Sequence, residues 1–139
     1  MFEPCLALQT AVRSALIASP AVVTLVPAAS IRAGSTRPDL FPMIILAGGS
    51  TAFLGRAAGS QLVARASIDL HIWAIEDGAD TARQIGGAVL AALIDAPAGA
   101  EFAFDDWQIG ASIWMRDPQP ELSLAHGVLT IESVIRWSV

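Results

Sequence analysis

The stretch from Arg65 to Asp95 constrains the fold more than any other. Ala66, Ile68, Leu70, Ile72 and Ala74 alternate strictly with Arg65, Ser67, Asp69, His71 and Trp73. Period-two patterning of this length predicts a strand with one face on a core. Glu76 to Asp80 then reads as an acidic turn. From Asp80 the period changes: Ala82, Ile85, Val89, Ala92 and Leu93 recur at steps of three and four, one stripe of a helix. Asp80 is the expected N-cap, and Asp95-Ala96-Pro97 ends the run. A strand followed by a helix that can cover its apolar face is therefore the expected centre of the chain.

The flanking segments extend this plan. Residues 4 to 18 read as a first helix, with Pro4 in the first turn and Leu8, Ala11, Val12, Ala15 and Leu16 on one stripe. Ser19-Pro20 stops it and starts a short second helix, Ala21 to Leu25. Residues 29 to 33 read as a short edge strand, and Gly34 to Leu40 as a loop. Phe41 to Ala47 is almost continuously apolar, the pattern of a strand buried on both faces, with Pro42 at its beginning. Gly48 to Leu62 has four glycines and no clear period, and reads as a functional loop or a flexible hairpin.

Downstream, Asp105-Asp106 reads as a turn. Trp107, Ile109, Ala111, Ile113 and Met115 then share one face of a strand, opposite Gln108, Gly110, Ser112, Trp114 and Arg116. After a proline-broken loop at Asp117 to Glu121, Gly127 to Val139 alternates again, and the two strands are expected to pair as a hairpin. The layout is α+β: one domain over residues 1–139, with a mainly antiparallel sheet of four or five strands and helices packed on one face. Gly86-Gly87 inside the helix costs on the order of 1 kcal/mol per glycine relative to alanine, which close packing against a neighbour would explain.

Composition narrows the function classes. Of the 139 residues 54 % are hydrophobic and only 15 % charged, where globular domains average about a quarter. So sparse a charge favours a subunit covered by neighbours in a homo-oligomer. The net charge of −5 argues against a nucleic-acid-binding surface. All eight basic residues are arginine, a mark of G+C-rich coding rather than of function. Cys5 is the one cysteine and reads as a small buried residue. No run reaches the roughly 18 uninterrupted apolar residues of a membrane span. The N-terminus lacks the basic region of a signal peptide, so the product is expected in the cytoplasm that makes it or in a particle packaged there.

The residues that might carry chemistry read more simply as structure. Ser67, Asp69 and His71 contain the residue types of a catalytic triad, but same-face neighbours on a strand stand about 6.6 Å apart. A triad needs its nucleophile and base in direct hydrogen-bond reach. Convergence of the two histidines, His71 and His126, with Asp105 or Asp106 would offer a metal its ligands, but they lack metal-ligand spacing. Gly48-Gly49-Ser50 has neither the lysine of a phosphate loop nor a helix after it. No catalytic, metal or cofactor site is expected. Trp73 and Trp114 fall on the polar faces of their strands, where they are either contact anchors or core beneath a second covering layer.

Taken in order, these pieces resemble the tail-completion (tail-terminator) proteins of long-tailed phages and phage-like gene transfer agents. The opening helix with Ser19-Pro20-Ala-Val-Val-Thr-Leu-Val, the Ile31-Arg32 step before Phe41-Pro42-Met43-Ile44-Ile45, Ser67 to Trp73, Ala82 to Leu93 and His126-Gly-Val-Leu-Thr-Ile-Glu carry the resemblance. It implies a non-enzymatic virion protein without cofactors, forming a homo-oligomeric ring, usually of six subunits. Such a ring sits on the tail tube, stops tube polymerisation, and docks the head-side connector or stopper. DNA passes through its lumen without specific binding. Expected contacts with subunits or neighbours are Phe53, Leu54, Arg56, Leu62, Trp73, Trp114 and Leu122, within or beside the loops Gly48–Leu62 and Asp117–Leu124. Two other readings stay open: a tail-tube subunit or head-side stopper of the same particle, and a small α+β ligand-binding or enzyme domain, which would need converging polar groups in a pocket.

Overall fold

The structure, a computed structural model, describes residues 2–76, 80–118 and 123–139. Helix α1 (Pro4–Ile17) starts on Glu3, whose side chain accepts from the Leu6 amide at 2.6 Å. Helix α2 (Pro20–Leu25) starts on Ser19 with Pro20 in its first turn, as the Ser-Pro pair predicts. One 3-10 turn (Ala28–Ser30) leads into strand β1 (Ile31–Ala33). Strands β2 (Met43–Ala57) and β3 (Gln61–Ile75) follow, then helix α3 (Thr81–Leu93), β4 (Phe102–Pro118) and β5 (Ser123–Ser138).

The five strands form one sheet in the order β1-β2-β3-β5-β4. Only β1 and β2 run parallel; every other neighbouring pair is antiparallel. The expected α+β architecture is the observed one. β3 is hydrogen-bonded along its length to β5 and across most of it to β2. Its Ala64, Ala66, Ile68, Leu70, Ile72 and Ala74 are buried, and the last five join Leu8, Val12 and Leu16 of α1 and Ile85, Val89 and Leu93 of α3 in the main core. Burying a large aliphatic side chain stabilises the fold by roughly 1.5–3 kcal/mol, so this one face anchors both long helices. Met43 to Ala47 is buried on both faces, as its apolar run predicts: Ile44 and Leu46 enter the main core, while Met43, Ile45 and Ala47 enter a smaller cluster on the opposite side with Trp73 and Leu124.

Several expectations need correction. Gly48 to Leu62 is not a functional loop but a hairpin, the second of the two readings: β2 runs on through it to Ala57, and the turn is only residues 58–60. Glycine makes the continuation possible. Gly48 and Gly49 take φ of +66° and +118° at a bulge between Ala47 and Ser50, and a Cβ on Gly49 would lie 2.6 Å from the Ser67 carbonyl oxygen. The glycines that obscured the sequence period are the device that keeps the strand paired.

Asp105-Asp106 is not a turn but part of β4, at an irregularity between Phe104 and Asp106. A second shift between Ile109 and Ser112 reverses the strand's facing. Trp107 and Ile109 pack on the main core, whereas Ile113 and Met115 are 57 % and 44 % exposed, and Trp114 takes the core side. The single face expected for Trp107 to Met115 is thus two faces joined by a bulge. The connection to β5 is also shorter than expected, because β4 runs to Pro118 and β5 begins at Ser123. Asp80 holds the N-cap position of α3 in the left-handed region (φ 54°) and makes no side-chain cap hydrogen bond. The acidic turn expected before it falls partly on residues 77–79, outside the described residues.

The two helix glycines separate cleanly. A Cβ on Gly86 would stand 2.7 Å from the Trp114 ring, which also lies against Gly127 of β5, while nothing comes within 4 Å at Gly87. Gly87→Ala is expected to stabilise the protein by about 1 kcal/mol through helix propensity alone. Gly86→Ala is expected to destabilise it by about 1–2 kcal/mol, because the indole has no room to move away. Paired urea titrations followed by tryptophan fluorescence measure both, and equal effects at the two positions would disprove the slot.

Candidate functional site

The helix-free face of the sheet carries the side chains that looked chemical in the sequence. Cross-strand register hands each of them to a different neighbour. Ser67 Oγ lies 2.9 Å from Ser50 Oγ. Asp69 accepts from the Thr130 hydroxyl at 2.7 Å. His71 Nδ1 lies 2.9 Å from His126 Nε2. Arg65 meets Glu132 at 2.8 Å, and Arg136 spans Gln61 and Asp105. The three residue types of a triad are therefore spent in three separate cross-strand pairs, Ser67 and Asp69 with the residues directly opposite and His71 with the diagonal His126.

The histidines do converge, but on each other, while Asp105 is held by Arg136. Its carboxyl is kept below the usual carboxylate range by the Arg136 hydrogen bonds. Among the described residues no group of three or more His, Cys, Asp or Glu side chains is placed to hold a metal ion. The His126 ring also stacks on Trp73 with centroids 3.8 Å apart. Trp73 is 7 % exposed, and its indole N–H is buried without a hydrogen-bond partner among the described residues. Trp114 is half-buried in the glycine slot. Both tryptophans pack against other parts of the chain, Trp73 on the helix-free face and Trp114 on the helix-bearing one. Gly48-Gly49-Ser50 is the bulge in β2, and a strand rather than a helix follows it.

The other predicted contact residues stand apart from this face. Phe53 and Leu54 are 63 % and 54 % exposed on the outer half of β2, beyond the reach of β1, which pairs only with Ile44 to Leu46. Arg56 is exposed beside them, and half-buried Leu62 sits opposite it in register. That half of β2 is an unprotected sheet edge carrying two large apolar side chains, a combination single soluble chains avoid. Leu122 lies outside the described residues, as do residues 119–121 of the loop that contains it.

Sequence reasoning missed one feature. Between the outer side of α1 and the segment that leads into β4 lies a cleft of about 650 Å³, whose lining includes Leu6, Ala7, Ala11, Pro97 and Phe102 together with the polar Glu3, Thr10, Ser14 and Glu101. Its walls are far apart in sequence. The only signal was Leu6, an apolar residue off the buried stripe of α1 and 57 % exposed.

With this geometry described, comparison with known proteins is direct. The sequence profile of the family described as tail completion protein gp17 matches residues 10–136. The chain belongs to that family. Two solved structures share the fold of this tail completion protein. One is a chain in the virion of a native gene transfer agent particle, with a TM-score of 0.64 and 17 % identity over 98 % of this chain and 99 % of that one. The other is the gp17 protein of bacteriophage SPP1, with a TM-score of 0.56 and 20 % identity over 93 % of this chain and 88 % of that one. No curated protein sequence matches the chain.

The histidine pair gives this tail completion protein a testable pH dependence. Burial pushes both imidazoles below their ordinary value of 6.5; His126 is pushed further by His71, and Asp69 and Asp117 only partly oppose the shift. Above that ordinary value both rings are neutral in the folded and the unfolded chain, so their contribution to stability is complete. As pH falls below it, the unfolded chain takes up protons that the folded chain refuses, and stability drops. The urea midpoint should therefore decline between about pH 7 and 5, where His titrates, and His126→Gln should flatten the decline. An equally steep decline in the variant would exclude the pair as its cause.

Proposed function

We propose that this chain is a structural, non-catalytic virion protein that forms a homo-oligomeric ring of six subunits at the head-proximal end of a tail tube. The ring ends tube polymerisation and joins the tail to the head-side connector or stopper. It is assembled in the host cytoplasm as a single domain and carried in the finished particle. The observation that carries this reading is the family match across residues 10–136. The chain's surface supports it: the outer half of β2 is an open sheet edge with Phe53 and Leu54 exposed, a surface suited to a neighbour. The net charge of −5 suits a lumen through which DNA passes without being gripped.

Purified protein, alone or on isolated tail tubes, is expected to appear in electron micrographs as discrete rings. Long tubes from the protein alone would instead mark a tail-tube subunit. Replacing Phe53 and Leu54 together by serine is expected to leave the circular dichroism spectrum unchanged and to abolish the joining of heads to tails. Normal joining by that variant would show that the β2 edge is not a contact.

A further inference from the structure

The ring reading leaves open which surfaces of neighbouring copies meet, and two surfaces of this chain fit one another. The first is the outer end of the β2–β3 hairpin. Phe53 and Arg56 stand opposite Ala64 and Leu62 in register, so they project on the helix-bearing side of the sheet, with exposed Leu54 at the irregularity between them. Arg56 makes no hydrogen bond or ion pair among the described residues. The second is the cleft between α1 and the segment leading into β4, apolar over Leu6, Ala7, Ala11, Pro97 and Phe102. Its lining includes Glu101, an exposed carboxylate also without a partner among the described residues.

The sheet topology sets where these surfaces lie. Gln61 pairs with Ser138, and Phe102 pairs with Trp137, so the hairpin turn and the start of β4 are at the same end of the sheet. β2 is the edge toward the β1 side, and β4 is the opposite edge. Both surfaces belong to the helix-bearing layer. The cleft lining runs from Glu3, which accepts from the Thr51 hydroxyl of β2, to Phe102 at the start of β4. Because the two patches differ, a contact between them is heterologous, the type that generates a ring when its rotation closes.

Resting on the ring reading above, we infer that the β2–β3 hairpin end of one copy docks into the α1/β4 cleft of the next. Phe53 and Leu54 enter the apolar floor and Arg56 meets Glu101. The occupant of the cleft is a second copy of this chain, because the chain itself supplies the matching apolar pair and the complementary charge. Loss of Phe53 and Leu54 then breaks the ring itself, and head joining fails as a consequence.

Cysteine cross-linking in assembled particles tests the contact. In a Cys5→Ser background, Leu54→Cys with Ala98→Cys should give, on mild oxidation, a ladder of covalently linked copies. Either single cysteine should give monomer only. Arg56→Glu should lower the yield of joined particles about tenfold or more, since like charges at a contact are strongly disfavoured, and Arg56→Glu with Glu101→Arg should restore it. A dimer from a single-cysteine variant would mean a two-fold contact and overturn the inference, as would a cross-link to a different tail protein. Absence of the ladder together with failure of the charge swap, in particles that still carry rings of this chain on their tails, overturns the docking geometry and leaves the ring standing. Tails that carry no ring of this chain would remove the ring reading and this inference with it.

Discussion

The alternation of β3 is the constraint on which the rest of the molecule depends. The strand is hydrogen-bonded on both sides, so its backbone groups are satisfied and its two faces must serve different surroundings. The helix-facing side carries small residues at its ends and large ones between: Ala64 and Ala66 at one end, Ile68, Leu70 and Ile72 in the middle, Ala74 at the other end. The large side chains fill the space beneath α1 and α3, and the alanines let the helices come near the sheet. A shift of one residue in register would turn this whole set to the other face, so the packing of both helices and the pairing of β2 and β5 are specified together.

The opposite face of β3 has a different economy. It holds serine, aspartate, histidine and arginine, each matched to a cross-strand neighbour. Short hydrogen bonds such as Thr130 to Asp69 and Arg65 to Glu132 spread polar side chains along the sheet in pairs rather than gathering them at one point. Exposed ion pairs of this kind add little stability each. What they do is keep a large sheet face solvated in a chain with few charges. At the end of this face where β5 begins, Phe41, Met43, Ile45, Trp73 and Leu124 form a second apolar cluster, with the histidine pair beside it.

Irregularities in the two edge regions decide what the protein shows to its surroundings. The glycine bulge in β2 lets the strand continue past β1, and everything beyond it is an edge without a partner. The shift in β4 between Ile109 and Ser112 sends Trp114 inward to Gly86 and Gly127 and turns Ile113 and Met115 outward. Bulges commonly re-aim side chains in this way. In this tail completion protein they leave apolar residues on both edges of one sheet.

Much of the architecture can be read from the sequence, because it follows from local periodicity. The stripes of α1 and α3, the Ser19-Pro20 start of α2, the two-sided burial of Met43 to Ala47 and the core face of β3 and β5 each need only the spacing of apolar residues along a single segment. The sequence order also sufficed for the family resemblance. Tertiary structure alone decided the rest. The extension of β2 through Gly48 and Gly49, and the reversal of facing in β4, arise because an extra residue at a bulge is defined by the partner strand, which no single segment contains. Trp73 is buried because Phe41 and Leu124 come over a face that its own strand marks as polar. The pairing of His71 with His126 and the cleft between α1 and the start of β4 likewise join positions far apart in the chain. Periodicity tells a residue which side of its own strand or helix it occupies; only the assembled fold tells it what stands on that side.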